Sequence, residues 1–137
     1  MAGFTNYLED KVMGHLFGAT AYTAPTWYVG LLTAAPSDSA AGTEVAGGSY
    51  VRKAVTWTVI GAGAAQATNT AALEWDAATA DWGTVTHAGI YDALADPSNL
   101  GAQVQLTQSD FTTVNPKTVN DGDVFKIDAG NLKVTLD

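Results

Sequence analysis

Beyond Gly18 this chain runs in short apolar stretches, each soon cut by Gly, Pro, Asn, Asp or Ser, and that rhythm leaves room for short strands and little else. Residues 26–33 (TWYVGLLT) are mostly apolar and read as a central strand. Residues 50–60 (YVRKAVTWTVI) alternate, which predicts Val51, Val55, Trp57 and Val59 on a core face and Tyr50, Arg52, Thr56 and Thr58 on a wet one. Residues 70–75, 83–91 and 99–107 supply three more strands, with Asp96-Pro97-Ser98-Asn99 as a turn between two of them. Near the end, residues 124–127 and 132–136 flank Asp128-Ala129-Gly130-Asn131, a pattern that predicts a hairpin. The expected fold is mainly β, an antiparallel β-sandwich or jelly-roll-like barrel, carrying one N-terminal α-helix.

That helix is read over residues 4–17, where Phe4, Leu8, Val12 and Leu16 recur every four residues, with Thr5 or Asn6 as cap and Gly18 as stop. Tyr7 widens the stripe while Met13 and Phe17 fall near the opposite face, so one side is expected to pack on its own sheet and another to meet a second chain. At 137 residues a single domain spanning 1–137 is expected, with the helix at about 4–17 and the β part at about 22–137. Residues 34–49 (AAPSDSAAGTEVAGGS) form a long small-residue loop, expected to order against a neighbouring chain.

Six basic residues against fourteen acidic ones give a net charge of −8, and the basic residues are scattered, so nucleic acid is not expected as a direct partner. Charged residues are only 15% of the chain, below the roughly 25% of an average soluble domain, which suits contact with neighbours. No cysteine is present, excluding disulfides and thiol chemistry. Glu9, Asp10 and Lys11 interrupt the first apolar segment, so no signal peptide is expected, no uncharged apolar run is long enough to cross a bilayer, and synthesis in the cytoplasm is expected.

Candidate chemistry is sparse. Residues 58–66 (TVIGAGAAQ) imitate the start of a dinucleotide fingerprint, but Gln66 stands at the third glycine and no helical period follows. His15 and His87 lie far apart without carboxylates at ligand spacing. Asn120, Asp121, Asp123 and Asp128 do not match a calcium loop and are explained by turn chemistry. No serine stands in a nucleophile-elbow context. Trp27, Trp57, Trp75 and Trp82 could form a carbohydrate platform, though core packing is the better reading, with Trp75 and Trp82 pinning the 76–81 loop. No enzyme, cofactor or metal site is expected.

Residues 6–11 (NYLEDK), 27–33 (WYVGLLT), 80–92 (ADWGTVTHAGIYD) and 116–123 (PKTVNDGD) together resemble a family of small virion proteins of tailed bacteriophages. Members are often labelled phage tail fibre or virion structural proteins, and similar small β proteins serve as head decoration, or cement, proteins. The resemblance implies a structural protein of the virion. Because the chain shows no repeat, heptad or triplet from which to build a fibre shaft, the expected role is capsid decoration, on the capsid exterior. Its expected partners are the major capsid protein and itself, as a homotrimer; a tail fibre or adhesion module for host recognition is the alternative. Position and composition put Phe4, Tyr7, Leu8 and Leu16 of the helix, and Pro36, Asp38 and Glu44 of the loop, forward as partner-contact candidates.

Overall fold

The structure is a computed structural model that describes residues 2–37, 39–61, 63–95 and 99–136. Its largest layer is an antiparallel sheet centred on β2 (Trp27–Ala34), the apolar stretch that the sequence marks as central. On one edge of β2 lies β9 (His87–Tyr91), followed by β10 (Leu100–Gln105) and β1 (Ala2–Phe4). On its other edge the eight residues of β2 serve two short partners: β4 (Lys53–Val55) pairs with Trp27–Val29, and β3 (Thr43–Glu44) with Leu32 and Ala34.

Smaller antiparallel sheets face this layer. One runs β5 (Trp57–Ile60), β6 (Gln66–Asn69), β13 (Lys133–Thr135). The others pair β8 (Gly83–Val85) with β11 (Lys117–Val119), and β7 (Leu73–Glu74) with β12 (Lys126–Ile127). β13 packs on β1 and β10, β8 on β2, and β7 on β4. The core between them holds Val29, Leu31, Val85, Trp75, Leu132 and Phe125, all at most 2% exposed. The result is the sandwich-like β fold with one helix, and its sheets do not close into a barrel.

Helix α1 spans Asn6–Phe17. Phe4 is not its first turn but the end of β1, opposite Ala102. Thr5 stands at the N-cap without capping the helix: its hydroxyl donates to the carbonyls of Leu100 and Gly101, tying the helix start to β10. Gly18 ends the helix in extended backbone, and a side chain there would strike the Gly14 carbonyl at 2.7 Å.

Two long predicted strands are each divided by one threonine. At Thr56 the chain leaves β4 for β5, and at Thr86 it leaves β8 for β9; both threonines stay bonded, Thr70 N donating to Thr56 O at 2.9 Å and Thr86 N to Leu32 O at 2.9 Å. The predicted faces fail accordingly. Val55 is 7% exposed, but Val51 is 53% and Val59 76% exposed, whereas Arg52, assigned to the wet face, is buried. β5 and β6 pair with each other as an antiparallel hairpin, with Gly63 and Ala65 at positive φ before β6, and Ala62 of the glycine-rich stretch lies outside the described residues. Of the expected 96–99 turn, Asp96, Pro97 and Ser98 lie outside the described residues.

The predicted C-terminal hairpin is also replaced. β12 and β13 do not pair with each other, because the turn between them is held by Asn69, which is 1% exposed. Its amide oxygen accepts from Leu132 N at 2.9 Å, and its amide nitrogen donates to the carbonyls of Ala71 at 2.9 Å and Asp128 at 3.0 Å. Its own backbone carbonyl accepts from Gly130 N at 2.9 Å. One side chain thus directs two consecutive strands to different partners. Asn69→Ala is expected to lower stability by about 2–4 kcal/mol, since it strands several polar groups in the core, as measured by urea unfolding.

Candidate interaction surface

Gly30 of β2 and Gly89 of β9 stand opposite each other in the sheet register. Their missing side chains make a floor: a Cβ on Gly30 would lie 2.6 Å from Glu44 Oε1 and 2.9 Å from the Tyr91 ring, and one on Gly89 would lie 2.7 Å from that ring. Over this floor Arg52 stacks on Tyr91, its guanidinium carbon 3.5 Å from the ring centroid. Glu44 meets Arg52 in a fork, with Nε donating to Oε1 at 2.8 Å and Nη2 to Oε2 at 2.7 Å. Tyr50 donates to Glu44 Oε1 at 2.6 Å while its hydroxyl accepts from Leu31 N at 2.8 Å, and Arg52 Nη1 donates to Ala93 O at 2.7 Å.

This node accounts for Glu44, which is engaged within its own chain, and for much of the 34–49 segment. Val45 is buried and its N–H donates to Leu31 O at 2.9 Å, so the segment packs on its own sheet through β3 instead of waiting for a neighbour. Pro36 is buried as well, and Asp38 lies outside the described residues. The indole of Trp82 donates to Gly48 O at 2.9 Å and meets Tyr50 edge-on at 5.5 Å. Trp75 packs edge-on against Phe125 at 5.4 Å. Both tryptophans are buried, 2% and 6% exposed, and so pin the 76–81 loop and offer no sugar platform.

The helix candidates separate into two groups. Phe4, Tyr7 and Leu8 face inward: Leu8 is buried, and the Tyr7 hydroxyl donates to Asp92 Oδ2 at 2.5 Å. Leu16 faces out. Together with Met13 and Phe17, at 55%, 63% and 80% exposure for Met13, Leu16 and Phe17, it forms an apolar patch on the last turns. Phe4 and Leu8 instead line an apolar cleft of about 220 Å³ whose walls include Trp27, Trp57 and Val134 and whose mouth carries the exposed Val59. Sequence spacing shows the width of the helix stripe but not that only its first half is seated.

The remaining polar candidates have local roles. His15 Nδ1 accepts from Tyr22 N at 3.1 Å, and His87, lowered in pKa by burial, lies 2.9 Å from the Thr86 hydroxyl. Asp123 accepts from Asn120 N at 2.9 Å, and Asp81 from Asp121 N at 2.8 Å, so the acidic run is turn chemistry. Among the described residues there is no group of three or more His, Asp or Glu placed to hold a metal, and no helix long and apolar enough to cross a membrane.

The ionic node thus holds the chain's own segments together, and the last turns of α1 leave an apolar patch exposed. A model of the family described as Podophage GP4 fiber I protein gp80 matches residues 3–135, and the chain belongs to that family. It is therefore a structural protein of a bacteriophage virion. No curated protein matches the chain.

Two expectations follow from the node. Arg52→Ala should cost about 3 kcal/mol in denaturant unfolding, because it leaves the Glu44 carboxylate half-buried and unpaired. Burial, with Glu44 adding to it, pushes the Tyr91 phenol up to about 12, and burial and the Glu44 hydrogen bond raise Tyr50 further. A raised folded-state value means that the folded protein holds these protons more tightly, so the stability gained is complete below the ordinary tyrosine value of 10.0 and is lost as pH climbs through the raised one. Melting temperature should hold level through neutral pH and fall steadily from about pH 10 upward, with Tyr91→Phe blunting the fall.

Proposed function

We propose that this protein is a component of the phage tail fibre that serves host recognition, and that its copies associate through the exposed end of α1. The family match over residues 3–135 carries this reading, since the family is described by a fibre protein, and it favours the fibre placement over capsid decoration. The absence of a shaft repeat, which pointed to decoration, fits equally a fibre whose length comes from stacked or bundled copies. Met13, Leu16 and Phe17 supply the surface for that contact: no other part of the described chain covers them, and a second copy offers the same patch about a symmetry axis. With a net charge of −8, copies repel at a distance, so association depends on burying this apolar surface.

Gold labelling of the protein in intact virions is expected to mark the tail. Labelling of the capsid faces, together with binding of the purified protein to expanded, undecorated capsids, would overturn the fibre placement. In solution, the double variant Leu16→Ser, Phe17→Ser should keep its melting temperature, because both side chains are exposed, while its mass by light scattering falls to that of the monomer.

A further inference from the structure

The two layers of the sandwich leave a gap beside the helix. Val59 of β5, Ala67 of β6 and Val134 of β13 stand in one row across the smaller sheet, and Phe4 of β1, Ala102 of β10 and Ile90 of β9 in one row across the larger. Each row has an alanine in its middle, and all six residues line the apolar cleft of about 220 Å³. The gap thus follows from side-chain size, since two short residues lie where a close-packed core needs longer ones. Its walls are firm. The Trp27 indole lies over Gly101, where a Cβ would come within 2.9 Å of the ring, and Trp57 stands opposite the fixed Asn69. Phe4, Trp27, Trp57 and Ala67 are partly exposed and Val59 is exposed, so this lining is open to solvent.

Every side chain in the lining is apolar or aromatic, so a polar ligand finds nothing to bond there. An apolar cavity of about 150 Å³ takes up benzene, so this cleft admits one aromatic ring. Among the described residues, the most exposed large apolar side chain is an aromatic one, Phe17, at 80%. It cannot fill the cleft of its own chain. From Leu8, which lines the cleft, to Phe17 the helix advances roughly 13 Å and ends about half a turn around its axis, so the two face opposite ways.

We infer that the cleft is the seat for Phe17 of a second copy of this chain, flanked by Leu16 and Met13, and that the contact runs head to tail. This rests on the proposed association through α1 and names the surface that receives it. Because knob and cleft face opposite ways, two copies that make one such contact cannot also make the reverse one. Each pair keeps one knob and one cleft free for further copies, which close into a ring about an axis or continue as a run. The lining carries no charge, so acidic copies meet there without burying an unpaired one. Each contact covers on the order of several hundred Å² of apolar surface, less than the roughly 1,000 Å² of a freestanding specific interface. A single pair is therefore weak, and the contact holds best in an array where every copy is engaged twice.

The test uses two single variants of the full chain, Phe17→Ser and Val59→Lys, in sedimentation at high protein concentration. Both sites are exposed, so both variants should melt at the temperature of the parent. Val59→Lys makes the chain less acidic, so it adds no repulsion between copies. Each variant alone should stay monomeric where the parent forms larger species. An equimolar mixture should form a species of twice the monomer mass and nothing larger, because one intact knob and one intact cleft remain. Ala67→Leu, which fills the cleft instead of charging its mouth, should behave like Val59→Lys. A mixture that stays monomeric, or cleft variants that associate as the parent does, overturns the inference. In the second case the α1 contact survives as patch against patch, whereas a parent that is monomeric throughout removes both.

Discussion

The close approach at Gly30 and Gly89 sets the terms for the rest of the sheet. Because neither residue carries a side chain, the Tyr91 ring lies down against the β2–β9 pair and Arg52 lies on the ring. Arg52 then reaches Glu44 in β3 and the backbone at Ala93, so one cation joins the segment after β2 to the end of β9. A buried ion pair adds little net stability over an apolar replacement, but it discriminates strongly between arrangements, since any other register would bury the charges apart. The long small-residue segment between β2 and β4 has few apolar groups of its own. Its course is set by this node and by Trp82 reaching Gly48.

Much of this architecture can be read from the residues. The apolar run 26–33 falls on β2, the four-residue spacing from Leu8 marks α1, and the glycines at 61 and 63 fall between the paired strands β5 and β6. The failures share a cause. A period of two describes a strand that stays in one sheet, and it cannot register a transfer between sheets across a single residue such as Thr56 or Thr86. Arg52 reads as a solvent-facing residue until Glu44, Tyr50 and Tyr91 are known to surround it, and Glu44 of β3 and Tyr91 of β9 are brought to it only by the fold. Asn69, likewise, gives no sign in the sequence of its hold on a turn some sixty residues away.

The same distinction applies to the candidate surfaces. Spacing finds the helix that carries exposed apolar residues. It does not separate Leu8, which is core, from Leu16, which is surface, because both satisfy the same period; only the seat provided by β1 and β10 divides them.

The sheet order also bears on how the chain is made. β6 is flanked by β5, its neighbour in sequence, and by β13, which arrives some sixty residues later. On the ribosome the β5–β6 hairpin therefore emerges with the β6 edge bare and with Trp57 not yet walled in by Val134 of β13. The protein's most exposed moment is thus its synthesis rather than its service in the particle, and a pause before residue 133 would leave a sticky open edge for other nascent copies to find.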